Sequence, residues 1–79
     1  MDKFEIRYQE IGNRVSFYRK LAALSVSALS NKTGLSVAEL ELIESGHSFP
    51  MLSIAQLFSI SDALSVPLYK FLDFEDWSE

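Results

Sequence analysis

The stretch from Leu24 to Glu44, LSVSALSNKTGLSVAELELIE, constrains the fold more than any other part of the chain. Ser25 stands just before a short run, VSALSNK, in which Leu29 is apolar while Ala28 and Ser30 are small, as a helix crossing closely over another requires. Gly34 ends that run, because a glycine just past a helix reaches positive φ without strain and turns the chain sharply. Ser36 and Glu39 have the S-x-x-E spacing of a capping box, in which the serine oxygen accepts from the N3 amide and the glutamate reaches back to the cap. A second helix therefore starts at Val37. Leu40 and Ile43, three apart, form its inward stripe, and Gly46 closes the segment. The spacing predicts two short helices around a tight glycine turn.

Around this unit the pattern predicts three more helices. The first runs from about Phe4 to Leu21, with Ile11, Val15 and Tyr18 as its buried stripe. Another begins after Ser53 and buries Ile54, Leu57, Ile60 and Leu64. The last starts at Pro67, whose missing amide would be unpaired in a first turn anyway, and turns Leu68, Phe71 and Leu72 inward.

Taken in order, these segments resemble the lambda-repressor/Cro-type (XRE-like) helix-turn-helix family. I-G-x-R-V-x-x-x-R-K at Ile11 to Lys20 is similar to that family's first helix, and Leu24-Ser25 to the entry of its second. I-E-S-G at Ile43 to Gly46 looks like the end of its third helix, and SIAQLFSISDALSVPLYKFL, from Ser53 to Leu72, like its fourth and fifth. The likeness covers residues 11–72. The loop Gly46 to Leu52 is about two residues longer than the family's G-x-x-x-P-S connection. The resemblance implies an all-α, compact, five-helix lambda-repressor-like DNA-binding domain. It also implies that Arg19 pairs with Glu44, tying the first helix to the motif, and that the chain forms a homodimer on a two-fold site.

Length and composition agree with one small domain over 1–79, with a core at 11–72 and an acidic aromatic tail at 73–79. Seventy-nine residues at 48% hydrophobic content suffice for a helical core without staples. There is no cysteine, which excludes disulfides, thiolate metal sites and a cysteine nucleophile. The N-terminal MDKFEIRYQE mixes charged and apolar groups and is neither a signal peptide nor a membrane span. A cytoplasmic setting is the family-level expectation.

Charge is distributed unevenly. The first twenty residues hold five basic and three acidic side chains, whereas Thr33 to Leu72 carries only Lys70 against Glu39, Glu41, Glu44 and Asp62. In the resembled family the start of the second helix and the outward side of the third are polar or basic and hydrogen-bond to base edges in the major groove. The corresponding positions here are Val26, Val37, Ala38, Glu41 and Leu42, beside Glu39 and the hydroxyls of Ser27 and Ser36, with Lys32 the nearby cation. Alanine and valine can touch a thymine methyl and glutamate can accept from cytosine N4, but no cation on this helix offsets the repulsion of Glu39 and Glu41 by phosphate. His47 stands in the loop where the family often places a phosphate-contacting residue, or is simply exposed.

Enzyme chemistry has no support. His47 and Ser48 are adjacent and rarely face each other, with no third group to orient the imidazole. Glu39 and Glu41 point apart on a helix, and a lone histidine makes no metal site, so neither metal nor cofactor is expected. Ser59, Ser61 and Ser65 read as small packing or solvated positions. Leu68, Phe71, Leu72, Phe74 and Trp77 are more apolar bulk than a short terminal segment buries alone, which marks them as a dimer interface; Phe74 and Trp77 read first as a cap over the core and second as an anchor for a partner or second subunit. Two functions fit: a transcription regulator that binds operator-like double-stranded DNA as a homodimer, and a protein-interaction regulator, antirepressor- or antitoxin-like, that has lost base readout. Val26, Val37, Leu42, Phe49 and Met51 would then form an outward apolar patch edged by Glu39 and Glu41.

Overall fold

Each helix begins where a side-chain oxygen can satisfy amides that the first turn leaves unpaired. In the computed structural model, which describes residues 2–74, Asp2 caps α1 (Lys3–Leu21), Ser25 caps α2 (Val26–Thr33), Ser36 caps α3 (Val37–Glu44) and Ser53 caps α4 (Ile54–Leu64). Three of these are full capping boxes, closed by Glu5, Glu39 and Gln56. A short 3₁₀ turn, Leu68–Phe71, follows. The described residues are all-α, but the expected fifth helix is this single turn rather than an α-helix. Pro67 lies just ahead of it, with φ −57°.

The core gathers one stripe from every element. Ile11 and Val15 of α1, Leu29 of α2, Leu40 and Ile43 of α3, and Leu57, Ile60 and Leu64 of α4 are buried together with Phe71 and Phe74. Tyr18 packs against that cluster and meets the Phe71 ring edge-on at 5.5 Å. Ile54 departs from the expected stripe. It is 56% exposed, because it occupies the first turn of α4 and borders an open hollow shared with Phe4 and Tyr8.

The described residues expected at a dimer interface pack on the core of a single copy. Phe71 is fully buried and Phe74 nearly so, which leaves neither ring surface to offer a second copy. Leu68 and Leu72 are partly buried against the same core. The surplus of apolar bulk is absorbed by α1, whose Arg7 and Arg14 guanidinium groups stand 6.0 Å and 5.0 Å from the centre of the Phe74 ring. Phe74 is thus the cap over the core. Trp77 lies outside the described residues. Among the described residues, no helix is long and apolar enough to cross a membrane.

Candidate nucleic-acid interface

The turn between α2 and α3 is set by a left-handed residue and three hydroxyl contacts. Gly34 takes φ +80° and its amide donates to the Ser30 carbonyl at 2.9 Å. Ser30 Oγ donates to the Leu35 carbonyl at 2.6 Å, Thr33 Oγ1 to the Leu29 carbonyl at 2.8 Å, and the Leu35 amide donates back to Thr33 Oγ1 at 3.1 Å. Neutral hydroxyls are thereby spent on fixing the angle between two helices. Sequence reasoning took Ser30 for a small crossing residue and missed this role.

A partly buried ion pair fixes the same unit to α1. Arg19 Nε donates to Glu44 Oε2 at 2.7 Å and Nη2 to Oε1 at 2.9 Å, while Nη1 donates to the Leu24 carbonyl at 2.8 Å. The side chains retain only 12% and 11% of their exposure. The hydrogen-bonded carboxylate raises the guanidinium pKa above its ordinary value, outweighing the cost of burial. Arg19, Leu24 and Glu44 therefore join the end of α1, the entry to α2 and the end of α3.

On the outward side of this frame, the exposed groups of α3 are Val37, Ala38, Glu39, Glu41 and Leu42, with Ser36 at its cap. Ser27 and Lys32 are exposed on α2. Val26 differs from its expected place in the outward patch: it is partly buried and packs on the core. The apolar groups that reach outward are Val37 at 38%, Leu42 at 47%, Phe49 at 36% and Met51 at 76% exposure, and the Phe49 ring meets Tyr8 edge-on at 5.0 Å.

The charge on this face is negative. Glu39 Oε1 accepts from the Ser36 amide at 2.9 Å, and Gln56 Nε2 donates to Oε2 at 3.3 Å. The Ser36 amide, then the Ser36 hydroxyl, holds the Glu39 carboxyl below its usual range, so it is ionised at neutral pH. The start of α3, which could attract a phosphate, is occupied by this carboxylate of its own. Between Ser25 and Ser53, Lys32 stands as the one lysine or arginine. His47 is exposed in the loop after α3, its Nδ1 3.0 Å from Ser45 Oγ. Ser48 beside it is buried, so the two do not face each other. Among the described residues, no group of His, Asp and Glu is arranged to hold a metal ion.

The three arginines among the five basic groups that the N-terminal sequence supplies are directed elsewhere, while Lys3 and Lys20 are exposed. Arg19 is committed to Glu44, Arg7 and Arg14 lie over Phe74, and Arg14 also approaches Glu10 at 3.9 Å. Nothing in the local spacing revealed the Phe74 contacts, since they join residues about sixty positions apart.

No family model and no curated protein sequence matches this chain significantly. Among solved structures, the crystal structure of an HTH_3 family transcriptional regulator from Vibrio cholerae superposes with a TM-score of 0.78 at 33% identity. The match covers 87% of this chain and 38% of that one, so this chain spans well under half of the regulator's length. The fold is the helix-turn-helix fold of that regulator.

Proposed function

We propose that this chain is a helix-turn-helix regulator of transcription that binds operator-like double-stranded DNA as a homodimer. The observation that carries the reading is the α2–α3 unit, fixed to α1 by Arg19 and Glu44 and left open on its outer side, in a chain similar to a transcriptional regulator. In such a unit α3 enters the major groove. Val37, Ala38 and Leu42 supply contact for thymine methyl groups, and Glu41 an acceptor for cytosine N4. Lys32 and the helix starts at Ser25 and Ser53 supply the backbone contacts, which are few. Two protomers on a two-fold site double them, and that is the physical reason for the homodimer.

Titration of labelled mixed-sequence duplex fragments, followed by anisotropy over a salt series, tests the reading. Affinity should fall as salt rises, with a shallow slope of about −1 to −2 per protomer in log K against log salt, because so few phosphates meet a cation. Absence of any binding at low salt would refute it. The exposure of Val37, Leu42 and Met51 beside two carboxylates favours a second reading, a protein-interaction regulator without base readout.

A further inference from the structure

Beside α3 the surface opens into a cleft of about 270 Å³ between α3, the loop that follows it and the first turn of α4. Its floor is apolar, formed by Leu42, Ile43 and Leu52, with Met51 at the edge. Leu42 and Met51 are 47% and 76% exposed, a concentration of apolar surface that a covering group would remove from water. Ser48 also lines the cleft. It is 2% exposed and its Oγ has no hydrogen-bond partner within the described residues. A buried hydroxyl without a partner is unfavourable, and one that borders a cleft is satisfied by a polar group entering it.

The rim decides what kind of group that is. Glu39 and Gln56 stand at the cleft, and no lysine or arginine occurs from Thr33 to Tyr69. A polyanion meets repulsion here, and an uncharged apolar segment leaves the Glu39 charge, bonded only to neutral donors, without a counter-charge. A chain with a cation beside a large apolar side chain satisfies floor and rim together.

We propose that this cleft docks a protein segment in which a large apolar side chain is flanked by lysine or arginine, with a main-chain group of that segment bonded to Ser48 Oγ. The docked segment covers Leu42, so it competes with DNA for α3. The binding is independent of the function proposed above; only the competition rests on it.

The test uses the full chain and two fluorescein-labelled probes, a short peptide alternating leucine with lysine and its counterpart with glutamate for lysine. The lysine peptide should bind and move the amide NMR signals of Leu42, Ser48 and Leu52, while the glutamate peptide should not bind. Leu42→Asp and Met51→Asp change exposed residues and add a carboxylate, so loose attraction for lysine would strengthen in both. Docking of a leucine would instead weaken by about tenfold, the factor given by a loss of about 1.4 kcal/mol. Circular dichroism establishes that both variants fold. Equal or tighter binding to the Asp variants, equal binding of the glutamate peptide, or unmoved Ser48 and Leu52 signals at saturation would overturn the proposal. If these results support docking but duplex DNA never binds the chain, the docking site stands and the DNA reading falls.

Discussion

A methyl group on Gly12 would collide with the carbonyl oxygen of Ile43 and lie 3.2 Å from the Gly46 amide nitrogen, so α1 and the end of α3 meet backbone against backbone. The absent side chain at Gly12 sets how deeply α3 sits on the core, and with it how far the outward face projects. Gly12→Ala should push the helices apart and cost about 1–3 kcal/mol, as added bulk in a packed interior does. Urea denaturation checks this, and an unchanged midpoint with an unchanged slope would contradict it.

Arg19→Ala should be among the most damaging single changes, because it leaves the Glu44 carboxylate nearly buried and without its cation. The expected loss is about 3 kcal/mol. Arg19→Lys should recover only part, since a lysine cannot make the two parallel bonds and the Leu24 contact at once. Thermal melts of both variants measure this; full stability in Arg19→Ala would remove the claim that this pair ties α1 to the motif.

Glu39 gives a pH dependence of known sign. Its carboxyl is held below the ordinary range by the Ser36 amide and hydroxyl, so its folded pKa is lower than its unfolded one. The stability it contributes is present above the unfolded value of about 4.3 and is lost as pH falls through the folded one. Glu39→Gln keeps an acceptor for the cap but cannot titrate. The advantage of the parent chain over this variant should therefore shrink as pH is lowered from 7 towards 3. Denaturation midpoints across that range report it, and a difference that stays constant or grows on acidification would contradict the assignment.

The local devices were legible in the sequence. Ser25, Ser36, Gly34 and the Leu40–Ile43 stripe depend on residues only a few positions apart, and each sits where spacing places it. What spacing could not supply was the occupancy of long-range partners. Ile54 is in register with Leu57, Ile60 and Leu64, yet no element covers the first turn of α4. Phe71 and Phe74 looked surplus because the reach of Tyr18 to Phe71, and of Arg7 and Arg14 to Phe74, cannot be counted along the chain. The outward face shows the same division: its residue types were plain, but the partial burial of Val26 and the buried hydroxyl of Ser48 depend on neighbours from other elements.

The most direct test of the DNA reading is the affinity of Glu41→Lys for duplex DNA at low salt. Glu41 is exposed on α3, so the change should leave the fold intact and replace repulsion of phosphate by attraction. The expected result is tighter binding whose advantage fades as salt is added, with a slope steeper by about 0.9 per protomer. No gain at low salt would mean that α3 does not meet DNA, and loss of docking by the lysine peptide in Leu42→Asp would then assign the face to a protein partner.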